Sequence, residues 1–168
     1  DSYDYEKPLQ KALEILDYEA IRKEQEEKRK EGKLIGVGFS TYVELSGFGP
    51  SAVAGAIGFQ GGIWENATVR VHPSGKVTVF TGTSPHGQGH DTTFSQIVAE
   101  RLGIPMEDIE FVFRDTKAVS MGWGTYGSRS LAVGGEAILR ATDRVIEKAK
   151  KIAAHELEVS VDDIEFAD

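Results

Sequence analysis

The chain contains no cysteine. It therefore forms no disulfide, ligates no iron–sulfur cluster, attaches no haem through thioethers and has no thiol nucleophile. Any redox role has to rest on a cofactor that brings its own chemistry, with electron carriers on other chains. Histidine is scarce as well, four residues in all, which leaves little for a protein-ligated metal. Long apolar runs are missing: nothing approaches the roughly 20 residues that cross a bilayer. The start, at Asp1, shows no charged-then-apolar leader, and a soluble, cytoplasmic protein is the expectation. Positive charge is in deficit, with 19 Lys and Arg against 27 Asp and Glu and a net charge of −8. That balance excludes the clustered basic surface a nucleic acid needs. An anionic cofactor remains compatible, because the free N–H groups of a helix start hold phosphate without any lysine.

What is present suits one soluble domain: 168 residues, 40% hydrophobic and 27% charged. Leu9, Leu13, Leu16 and Ala20 fall at helical spacing, so the opening to Lys33 reads as one helix ended by Gly32. Its second half, RKEQEEKRKEGK, carries mixed charge without an apolar stripe and reads as a solvated helix end. LIGVGFSTYVEL (34–45) is rich in β-formers and predicts a strand. The glycine-rich stretch 46–62 reads as a loop or a pair of short hairpin ends. Trp64 to His72 alternates with period two, Pro73-Ser74-Gly75 signals a turn, and KVTVFTG resumes the alternation, which predicts an antiparallel hairpin. A helix follows with Phe94, Ile97, Val98 and Leu102 on its inner face, then a strand at 109–113. The last long helix, 131–157, carries Ala137, Ile138, Ala141, Val145, Ala149 and Ile152 on one face.

These elements predict an α+β fold as a single domain. A mostly antiparallel sheet from 34–45, 63–72, 76–82 and 109–113 is covered by helices at 93–103 and 131–157, with 1–33 as an N-terminal helix and 34–168 as the core. One internal echo stands out. LGIPMEDIEF (102–111) and LEVSVDDIEF (157–166) both read as a helix exit, a tight connection and a strand start. The second copy stops two residues after Phe166, which suggests truncation, an unpaired strand edge, and hence a homo-oligomer or a complex with chains supplying further segments.

Two loops are candidates for chemistry. In HGQGH (86–90) the glycines allow close backbone approach, the following helix start favours an anion, and Gln88 carries an amide that both donates and accepts. Taken alone it reads equally as a tight strand-to-helix turn. His86 and His90 lack a third ligand and an HExxH frame, so no zinc site is expected. GWGTYGSRS (122–130) also precedes a helix: Ser128 and Ser130 offer hydroxyls, Gly127 onward offers N–H groups, and Arg129 suits a phosphate or carboxylate. Taken alone, the second loop is better read as plain serine capping, but two glycine-rich loop–helix units lie within fifty residues. A rival assignment takes Gly87-x-Gly89-x-x-Thr92 with Asp115 as a partial dinucleotide fingerprint of a dehydrogenase, although its third glycine is a threonine and its strand pairs as a hairpin.

The runs TGTSPHGQGHDTTFSQIVAERLGIPMEDI and GTYGSRSLAVGG, with YVELSGFGPS and AILRATDRVIEKAKKIAAHELEV, resemble the molybdenum hydroxylases of the xanthine dehydrogenase and aldehyde oxidase family. Within it the likeness is to the large subunits of aerobic carbon monoxide dehydrogenases. The resemblance implies binding of molybdopterin cytosine dinucleotide, whose dithiolene sulfurs hold molybdenum, so that the protein need not ligate the metal. It implies that Gln88 lies near the molybdenum and pterin, that Gly127, Ser128 and Ser130 hold the cofactor, that Gly87 and Gly89 donate from the backbone, and that Arg129 assists. It further implies hydroxylation of an aldehyde, a heterocycle or carbon monoxide with water-derived oxygen, and electron transfer to iron–sulfur and flavin subunits. The family's catalytic glutamate segment and substrate loop have no counterpart here, since Gly134-Gly135-Glu136 sits in the wrong segment, so the chain by itself is expected to be inactive. A stand-alone, non-catalytic binding domain on the same fold is the alternative.

Overall fold

The computed structural model describes residues 4–43, 46–49 and 51–167. The chain forms two compact units, Asp1–Val43 and Glu44–Asp168.

In the first unit the expected single helix is two, α1 (Glu6–Leu16) and α2 (Tyr18–Lys30). The break is Asp17, which sits in the left-handed region (φ 49°, ψ 61°). Aspartate tolerates that conformation, and its short carboxylate accepts from the Ala20 N–H at 3.3 Å, capping α2 while its own N–H closes α1. Residues 34–43 carry no strand, against expectation; 44 and 45 lie outside the described residues. Leu34, Tyr42 and Val43 are exposed, and the Ile35 carbonyl accepts from the Gln25 amide at 2.7 Å. β-propensity expresses fit to a pleated, half-buried surface, and the described residues offer none here.

The second unit holds the sheet. Strands β1 (Ala67–Val71) and β2 (Val77–Thr81) form the expected antiparallel hairpin, in the register Ala67↔Thr81, Val69↔Val79, Val71↔Val77. Gly75, at φ 86°, turns it. β3 (Ile109–Phe113) pairs parallel with β2, with Val79 opposite Phe111. Among the described residues the sheet is therefore three-stranded and mixed, in the order β1-β2-β3, rather than mostly antiparallel. The cause lies in the connection: a whole helix, α4 (His90–Leu102), returns the chain to the starting end of β2, so the next strand runs parallel. A short helix, α3 (Ser51–Ala56), interrupts the stretch read as loop.

Helix α4 lies against β3, and α5 (Glu136–Glu156) against β1. Val77, Val79, Phe94, Val98 and Ile138 form the buried core, with Ile97, Leu102 and Phe111 packed around it. Ala149 and Ile152, expected in the stripe of α5, are instead exposed, and Thr142 takes a core position by donating its hydroxyl to the Ile138 carbonyl at 2.9 Å. The sequence echo has a structural counterpart. Both copies pass through a 3-10 turn, Met106–Asp108 and Val161–Asp163, into extended backbone. Among the described residues no helix is long and apolar enough to cross a membrane.

Candidate functional site

The first loop leaves β2 at Gly82 and enters α4 at Gly89. Gly87 (φ 105°) and Gly89 (φ 79°) are in a backbone region that side chains disfavour, and a Cβ on either would meet nothing within 4 Å. Their role is conformational, not packing. Residues 86–89 are exposed. The Gln88 side-chain amide oxygen, Oε1, accepts from the His86 N–H, so its side chain turns back across the loop. Gly89 is the N-cap of α4 and offers no side-chain cap, which leaves the first-turn amides suited to an oxyanion. His90 is buried, stacked on Phe94 with centroids 5.0 Å apart, and its Nδ1 has no hydrogen-bond partner among the described residues. Burial, and then the neighbouring His86, hold its imidazole below the ordinary histidine range, with Asp91 pulling the other way.

The second loop, 122–130, has no regular secondary structure until Ser130 starts a π-helical segment, Ser130–Gly135, that runs into α5. Such segments recur at functional sites. Gly134 permits close packing, since a Cβ there would lie under 3.0 Å from the Thr83 methyl. Gly127 (φ 55°) and Ser128 (φ 52°) turn left-handed, and their carbonyls accept from Phe48 and Gly47 at 3.1 Å each. Ser128 is exposed, whereas the Ser130 hydroxyl is buried and donates to Thr125 Oγ1 at 2.9 Å. Trp123 packs edge-on to Phe59 at 5.1 Å, and its buried Nε1 has no partner among the described residues.

The two loops meet at their bases. The Ser84 N–H donates to Thr125 Oγ1 at 2.9 Å. Gly82 and Gly122 touch backbone to backbone, so that a Cβ on either would come under 3.0 Å from the other's Cα.

Arg129, expected to face a ligand, is turned inward and is 1% exposed. Its guanidinium pairs with Glu65 at 3.1 Å and donates to the carbonyls of Phe48, Ile63, Trp64 and Gly124. The five donors of the fork are spent inside the protein. Glu65 was missed in the sequence, although a signal was there. Period-two alternation puts it on the same inward face as Ile63, Ala67 and Val69, an unusual place for a carboxylate without a buried cation. Asp115, the acid of the rival dinucleotide assignment, accepts from the Lys117 N–H at 2.8 Å within its own turn.

The donor set is backbone N–H, a carboxamide and hydroxyls, and among the described residues no three His, Cys, Asp or Glu side chains gather to hold a metal. Such a set fits an organic ligand that carries its own oxyanions and its own metal, and two buried ring nitrogens, on His90 and Trp123, stand unsatisfied beside the loops. Fold and loops together make an α+β domain in which two glycine-rich loops at helix starts are joined at their bases.

Residues 11–168 match the molybdopterin cofactor-binding domain family, and the chain belongs to it. It is 43% identical over 169 residues to the carbon monoxide dehydrogenase large chain of Hydrogenophaga pseudoflava, covering 99% of this chain and 21% of that one. It is 37% identical to the nicotine 6-hydroxylase large subunit of Paenarthrobacter nicotinovorans, covering 92% and 19%. Among solved structures, Cu,Mo-CO dehydrogenase in its carbon monoxide reduced state superposes with a TM-score of 0.67 at 39% identity, over 99% of this chain and 22% of that one. Quinoline 2-oxidoreductase from Pseudomonas putida 86 gives a TM-score of 0.65 at 40% identity, over 93% and 20%. The chain thus spans about a fifth of the length of the relatives it matches.

Proposed function

We propose that this chain forms the molybdopterin-holding part of a molybdenum hydroxylase large subunit, taking molybdopterin cytosine dinucleotide as its ligand. The observation that carries the reading is the junction of two glycine-rich loops, each at a helix start, joined through Ser84 and Thr125. The backbone N–H groups around Gly87 and Gly89 serve as donors to the ligand's oxyanions, and the exposed Gln88 amide swings from its contact with His86 to face the pterin side. Gly127 and Ser128 present the second wall. Ser130 contributes through its main chain, because its hydroxyl is held by Thr125. When bound, the cofactor supplies the redox chemistry of hydroxylation with water-derived oxygen. The residues of this chain bind and orient it. Iron–sulfur and flavin subunits as electron acceptors, and further large-subunit segments as neighbours, belong to the same proposal.

The test is expression in a host that makes the cytosine-dinucleotide cofactor, followed by molybdenum analysis and quantification of CMP released on hydrolysis. Near-equimolar molybdenum and CMP, both lowered in Gln88→Ala, are expected. A folded chain with neither would sink the proposal.

A further inference from the structure

The 122–130 loop has to hold a defined path with no helix or strand ladder to fix it. Besides the Phe48 and Gly47 N–H groups that donate to Gly127 and Ser128, its main chain is gathered by two side chains, both fully buried. Glu65 accepts from the N–H groups of Trp123 at 3.2 Å and Gly124 at 3.3 Å, and from that of its neighbour Asn66 at 3.1 Å. Arg129 donates to the Gly124 carbonyl at 2.8 Å from within the loop, and to Phe48 at 3.2 Å and Ile63 at 2.5 Å outside it. Three segments distant in sequence, around 48, 63–66 and 122–130, are thereby locked to one another.

Stability is a poor explanation for such a pair. Desolvating two charges offsets most of their mutual attraction, and well-packed neutral side chains commonly serve a fold as well. Planar, multi-donor geometry is what a neutral substitute does not reproduce. We propose that Glu65 and Arg129 are positioning residues for the cofactor: their buried pair sets the path of the 122–130 loop and so presents Gly127 and Ser128 to the ligand, while neither side chain touches it. This rests on the function proposed above, gives Glu65 a role, and moves Arg129 from ligand contact to loop support.

Two variants test it, Glu65→Gln and the double variant Glu65→Gln/Arg129→Met. The single variant leaves a buried, uncompensated guanidinium; the double variant removes both charges and restores a neutral interior. Amide hydrogen exchange is followed in 122–130 and in the core around Val79, Val98 and Ile138, and molybdenum and CMP are measured per folded chain. Both variants are expected to keep core protection, to lose protection in 122–130, and to hold cofactor at least about tenfold below wild type, the scale on which supporting contacts of bound metal groups act. Recovery of loop protection and cofactor in the double variant would overturn the proposal, since the pair would then matter only through charge cancellation. Loss of core protection in both would overturn it too, the pair then being required by the whole unit. Wild type that folds with a protected loop yet takes up no cofactor counts against the proposed function alone, and the exchange data then decide whether the pair orders the loop.

Discussion

Substituting Gly82 by alanine tests the junction of the two loops most directly. Gly82 does not have a positive φ, so an alanine is conformationally acceptable there. The obstacle is space. A Cβ would come under 3.0 Å from the Gly122 Cα and from Glu65 Oε1, where ordinary carbon contacts lie at about 3.5–4.0 Å. Neither neighbour yields cheaply, one being backbone and the other a carboxylate held in a buried ion pair. Overpacking of this kind costs about 1–3 kcal/mol, and rigid neighbours put Gly82→Ala at about 3 kcal/mol. For a chain of this size that is a fall in Tm of about 6–12 °C. Gly75→Ala is the matched control: it has a positive φ of 86° but nothing within 4 Å, so only backbone strain of about 1–2 kcal/mol is expected. Thermal unfolding of both variants, with amide exchange at Ser84, reads the difference. A Tm for Gly82→Ala equal to or above that of Gly75→Ala, with Ser84 still protected, would refute the close approach of the two loops.

Three further outcomes are expected. His90 is held neutral by burial, so the folded chain binds fewer protons than the unfolded one between its lowered pKa and the ordinary value of about 6.5; stability is full above that value and declines as pH falls below it, and His90→Phe should flatten this part of a pH series of urea midpoints. Ile138→Ala, at the centre of the core, should cost about 2–5 kcal/mol in urea unfolding, and a loss below about 1 kcal/mol would contradict the packing of α5 on the sheet. Asp143→Asn removes the exposed pair between Arg101 on α4 and Asp143 on α5; such a pair contributes under about 1 kcal/mol, so a Tm drop beyond about 5 °C would show that it matters more than its exposure allows.

The local pattern of the sequence determined much of this protein. Period-two alternation around a Pro-Ser-Gly turn set the hairpin, and β3 appears at 109–113 as expected. Phe94 and Val98, spaced by one helical turn, face the core from α4. The absence of cysteine leaves redox chemistry to a cofactor that brings its own, and glycines before two helices mark both loops. Periodicity encodes which face an element buries, and it is read along the chain without knowing what lies opposite. What lies opposite was decided only in three dimensions. The run 34–43 has strand composition but no partner strand among the described residues, and the pairing of β3 with β2 depended on where a whole helix delivered the chain. The same holds for Arg129, which reads as a ligand-facing cation until Glu65, sixty-four positions earlier, is seen to take its charge inside the protein. A guanidinium goes inward only where a carboxylate and free carbonyls meet its whole fork, and long-range packing alone brings those groups together.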